Sequence, residues 1–119
     1  MRSKAIHLVL ASLWLFAIQA RAVGIDDIQT EIFSVSCALA GCHNGAVSPN
    51  LSAGVAFDNI VNVSSGNFGL DYIEPGEPEN SYLLRKVDLS VGTISGSRMP
   101  LNSSALSQAN IDLLTEWIN

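Results

Sequence analysis

The chain's only two cysteines, Cys37 and Cys42, have four residues between them and a histidine directly after the second, in the run Cys37-Ala38-Leu39-Ala40-Gly41-Cys42-His43. This cluster constrains the fold more than any periodicity does. The segments 44–54, 62–69 and 90–97 are rich in Gly, Ser and Asn and read as loops. Loops of that extent in so small a chain cover too little apolar surface to be fixed by their own side chains. A disulfide, a metal or a large apolar cofactor at the centre solves that problem.

The N-terminus reads as an export signal, residues 1–22, followed by one domain, residues 23–119. Arg2 and Lys4 precede an apolar run from Ala5 to Ile18, and Ala20-Arg21-Ala22 has the small-x-small form of a cleavage site. The apolar run falls short of the ~20 residues of a membrane span. The reading is therefore a cleaved signal with no span left after cleavage, against the alternative of an uncleaved anchor. Cleavage removes Arg2, Lys4 and Arg21 and none of the 11 acidic residues. So acidic a domain has no electrostatic route to nucleic acid or anionic lipid, and a basic protein surface would be attracted instead.

The residues left for chemistry are few: His43, Met99, Cys37 and Cys42 are the only His, Met and Cys after residue 22. Four-cysteine iron–sulfur clusters, blue-copper sites and four-ligand structural zinc sites all need more. Covalent haem needs two cysteines, one histidine and often a methionine, and that inventory matches with nothing left over. The usual attachment motif has two residues between the cysteines, and this one has four. A glycine among small residues lets the longer spacer bulge. The competing reading is a Cys37–Cys42 disulfide, which an oxidising compartment permits.

Helical patterns frame the cluster. Ile25, Ile28, Ile32 and Phe33 recur at helical spacing over 25–35, with Asp26 and Asp27 in the first turn. A short helix is expected over Val55–Val61, and a third from Glu79 or Asn80 to Val87, with Arg85 and Lys86 in its last turn. The last helix is the clearest. Ser107 is a good N-cap, Leu106 can staple onto Ile111, and Ile111, Leu114, Trp117 and Ile118 form one stripe. No strand is expected. The predicted class is all-α.

Each site residue has two readings. Cys37 and Cys42 would bind haem covalently and His43 would be the proximal iron ligand. Met99, a soft thioether donor, would be the distal ligand, held extended by Pro100; otherwise it fills a core gap. The Pro49 carbonyl could accept the other ring hydrogen of His43 and so orient it, or simply belong to a loop turn. Arg98 could neutralise a haem propionate, or be a solvated loop arginine.

Several segments together resemble the small class I c-type cytochromes, and more closely the cytochrome c-like domains of bacterial exported proteins. These are Ile28 to Phe33 leading into Cys37, Gly41-Cys42-His43, Ala56 to Asn62, Pro75 to Lys86, Arg98-Met99-Pro100, and Leu106-Ser107 with Ile111 and Trp117-Ile118. The resemblance implies packed N- and C-terminal helices, long loops around one haem c, and His43 and Met99 on its two faces. It implies electron transfer without enzymatic turnover, transient redox partner proteins, and export to the periplasm or an equivalent space. The four-residue spacer departs from the family pattern. The alternatives are a non-haem secreted binding or structural module with a Cys37–Cys42 disulfide on a similar scaffold, and a five-coordinate haem enzyme or sensor.

Overall fold

A computed structural model describes residues 14–119. Most of the predicted signal segment lies outside the described residues. Residues 14–22 run as exposed irregular chain, with Trp14, Leu15, Phe16 and Ile18 all facing solvent. Among the described residues no helix is long and apolar enough to cross a membrane.

The first helical rod changes character along its length. It begins as α1 (Ile25–Ile28), where the Asp27 carboxylate accepts the Gly24 N–H at 2.8 Å. It then widens into a π-helix over Gln29–Cys37, closed by Ala38 N–H donating to the Phe33 carbonyl at 2.7 Å. The wider turn keeps Ile28, Ile32 and Phe33 all fully buried and leaves Val35 in solvent. The rod ends on Cys37. π-Turns are rare and gather at functional sites.

Three more helices follow: α2 (Ala56–Ile60), α3 (Tyr82–Val87), which a single 3-10 turn at Pro78–Asn80 precedes, and α4 (Gln108–Ile118). The Ser107 side chain caps α4 by accepting the Asn110 N–H at 3.2 Å. Leu114 and Ile118 of α4 join Ile28, Ile32, Phe33, Ile60, Leu84 and Val87 in one core. The α4 side chain of Asn110 also donates to the Glu31 carbonyl at 3.4 Å, tying the first rod to the last helix.

The all-α expectation is overturned by a two-stranded antiparallel sheet, β1 (Ser64–Asn67) and β2 (Leu70–Asp71). The fold is a small mixed one, helices plus a hairpin, and so departs from the all-α cytochrome c-like domain that the resemblance implies. Asn67 pairs with Leu70 and Ser64 with Asp71, with an irregularity between them. Phe68 and Gly69 form the two-residue connection, both at positive φ (54° and 69°), which is the mirror-image turn that suits the twist of paired strands. The Ser65 hydroxyl donates to the Leu70 carbonyl at 2.7 Å inside the hairpin. Turn chemistry and polar side chains build this sheet, so no apolar alternation announces it in the sequence.

Candidate functional site

Four segments converge on one cavity of about 760 Å3, within the ~300–1,000 Å3 of small-molecule and cofactor pockets. They are the end of the π-helix with the turn after it, the loop at 47–51, one side of α3, and the loop 95–107. Asn67 and Tyr72 of the hairpin region, with Asn110 of α4, complete the lining. Cys37, Cys42, His43, Pro49 and Met99 all line it. Arg98 does not line it. Its Nη2 donates to the Ser103 carbonyl at 3.0 Å, while Nη1 is buried with no hydrogen-bond partner among the described residues.

The cysteine spacer folds as a compact bulge. Gly41 takes the left-handed backbone (φ 77°), the Cys42 N–H donates to the Leu39 carbonyl at 2.9 Å, and the His43 N–H reaches back to the Cys37 carbonyl at 3.1 Å. That last bond closes the six-residue reach from first thiol to histidine. Cys37 is half-buried and Cys42 exposed, and neither thiol is bridged. Burial pushes the Cys37 thiol from its ordinary 9.0 up to about 11, and the neighbouring Cys42 adds to the effect. Cys37 is therefore a protonated thiol at neutral pH.

His43 is oriented by the loop that follows it. Its Nδ1 lies 3.0 Å from the Pro49 carbonyl, a contact in which Nδ1–H donates. That tautomer leaves Nε2 as the nitrogen with a free lone pair. The His43 carbonyl accepts the Leu51 N–H at 2.7 Å, and the Leu51 carbonyl accepts Gln29 Nε2 at 2.9 Å. Gln29 is itself buried, so the histidine loop is pinned to the first rod through an internal amide. Gln29 is not among the sequence-predicted site residues. A polar residue at a core position of a helical stripe was the available signal.

Met99 sits in the loop opposite, its N–H donating to the Lys86 carbonyl at 2.7 Å. Two α3 residues outside the sequence-predicted site, Tyr82 and Lys86, also line the cavity. Their four-residue spacing on one helix was the signal.

The wall is apolar with hydroxyl and amide groups at intervals, and none of the 11 carboxylates of the chain belongs to it. Val35, Leu39, Val47 and Leu101 line it while remaining about half exposed, which makes an apolar rim. Among the described residues no three His, Cys, Asp or Glu side chains converge as a bare-metal cage requires. Comparison with protein families, curated proteins and solved structures finds no match to this chain.

Proposed function

We propose that the protein is an exported monohaem c-type cytochrome that carries single electrons and performs no enzymatic turnover. One observation carries this reading: the chain's two thiols, its one histidine beyond the signal segment and its one methionine there all line a single cavity with an apolar wall. The donor set fits the group. Cys37 and Cys42 would hold haem through thioether links, so they need not converge on a metal. His43, with Nδ1 held on Pro49, offers Nε2 to iron, and Met99 offers a thioether sulfur. Bound haem supplies one-electron chemistry at a potential that His/Met ligation raises.

The chain's own contribution is orientation and exclusion. The Pro49 carbonyl fixes the imidazole tautomer, which keeps ligand basicity and ring angle constant. The wall lacks carboxylates, so the chain itself sets no fixed negative charge beside His43 or Met99. His43 and Met99 would each supply a ligand to bound haem iron, which would leave no open position for a substrate. The half-exposed apolar rim suits brief contact with a redox partner protein over a small area.

The test is intact mass and a pyridine haemochrome spectrum of the full chain expressed with cytochrome-maturation machinery. The expected product has lost residues 1–22 and gained one haem. A colourless, folded product lighter by two hydrogens would instead identify a disulfide-bearing module. Met99→Ala should abolish the near-infrared methionine-to-iron band; a wild-type protein without that band would point to a five-coordinate site.

A further inference from the structure

We infer that Lys86, with Tyr82 one turn before it, is the positioning residue that sets where Met99 stands in the cavity; this rests on the reading of Met99 as an iron ligand. The loop carrying Met99 is rich in Gly and Ser and has few apolar anchors of its own. A single turn of α3 takes hold of it at three places. The Lys86 ammonium donates to the Ser95 carbonyl at 2.9 Å and also to the Ser97 carbonyl. The Tyr82 hydroxyl accepts the Ser95 N–H at 3.0 Å. The Lys86 carbonyl accepts the Met99 N–H at 2.7 Å.

Between the two gripped carbonyls lies Gly96 at φ 71°. Its left-handed turn lets Ser95 and Ser97 present oxygen to one ammonium, and a Cβ there would stand 3.9 Å from that nitrogen. Lysine suits the task because an ammonium carries three donors on a long stem and can satisfy two carbonyls together. Lys86 also lines the cavity, so the same side chain touches the loop and the wall. Arg85, the residue before it, lies against Gly92 at the start of the loop and donates its Nε to the Glu79 carbonyl at 2.9 Å, so it makes none of the bonds to 95–99.

The grip therefore acts through the backbone of 95–99 rather than on the sulfur. Without it, the Met99 N–H bond would be the remaining tether of α3 to that residue, and the loop would sample positions with the sulfur withdrawn.

The experiment compares Lys86→Leu, Lys86→Arg and Arg85→Leu in the full chain, with two readouts. One is the near-infrared methionine-to-iron band of the haem-loaded, oxidised protein. The other is hydrogen exchange at the Met99 amide of the full chain as purified. Lys86→Leu should weaken the band and speed Met99 exchange by about tenfold, the scale of one charge-assisted hydrogen bond in a partly solvated loop. Lys86→Arg, which keeps donors for both carbonyls, should restore both readouts, and Arg85→Leu should leave both as in wild type. The inference is overturned if Lys86→Leu leaves Met99 exchange unchanged, or if Arg85→Leu reproduces its effects. A wild-type chain that takes up no haem removes the functional reading alone, because the exchange comparison still decides whether Lys86 places Met99.

Discussion

Replacing Gln29 by leucine tests how firmly the first rod holds the histidine loop. Gln29 is 9% exposed and Leu51 4%, so the hydrogen bond from Gln29 Nε2 to the Leu51 carbonyl lies in the interior. The second bond of that amide, to the Ser34 hydroxyl at 3.0 Å, ends on an exposed residue. On substitution Ser34 turns to water at little cost. The Leu51 carbonyl cannot, and a buried acceptor left without its donor costs about 1–3 kcal/mol. Leucine is apolar and returns up to about 1 kcal/mol through burial. The two together leave a loss of about 0–3 kcal/mol, with about 1–2 kcal/mol as the central expectation. In a domain of this size each kcal/mol moves the melting temperature by about 4–8 °C, so circular dichroism melting of the chain as purified should fall by about 5–15 °C. Leu51 amide exchange should accelerate with it, since that N–H donates to the His43 carbonyl. A fall below about 2 °C would refute the argument that this amide is an internal strut.

Other consequences follow from the same geometry. Leu114 is fully buried, so Leu114→Ala should cost about 2–5 kcal/mol in denaturant unfolding. Ser107→Ala removes the α4 cap and should cost about 1 kcal/mol, with amide exchange rising first in the opening turn of α4. Because the Cys37 thiol is raised in the folded chain, its neutral form favours folding. That contribution is complete below pH 9 and should be lost as pH rises from 9 to about 11, a limb that Cys37→Ala flattens in pH-dependent unfolding. In chain produced without haem-attachment machinery, where both thiols are free, iodoacetamide at pH 9 should alkylate the exposed Cys42 well before Cys37, as peptide mass mapping would reveal.

The helical parts were legible because their signals are local. Ser107 ahead of an apolar stripe places the start of α4 where the structure has it, and the Ile25–Phe33 pattern finds the first rod. That pattern cannot tell an α-turn from a π-turn, since Ile28, Ile32 and Phe33 satisfy either spacing. The short helix expected over Val55–Val61 forms as Ala56–Ile60, and the one expected up to Val87 starts at Tyr82 after a 3-10 turn. The hairpin was illegible because its determinants are two positive φ angles and a serine hydroxyl, and Phe68 is an unusual residue to find in that backbone region. Of the site, Cys37, Cys42, His43, Pro49 and Met99 were visible as chemistry-bearing types near loop signals, and the cavity gathers them. Tyr82, Lys86 and Gln29 were not, since each acts on the backbone of a segment remote in sequence, and only folding brings that segment to it.

Surface loops usually accept insertion and deletion at little cost, and 62–71 looks like such a loop. The Phe68 ring, however, leans on Tyr82 with centroids 6.2 Å apart, and the carbonyl of Tyr72, the residue after the hairpin, accepts the Leu83 N–H at 3.0 Å. Tyr82 in turn steadies the segment at Ser95. The hairpin is thus a buttress, so the length of 62–71 is fixed by what it leans on. An engineer seeking a place for a tag or a graft should pass over this turn, where one added residue would unseat a ring that helps to hold a distant methionine. The exposed turn Ala53-Gly54-Val55 is the better choice, since its side chains face solvent.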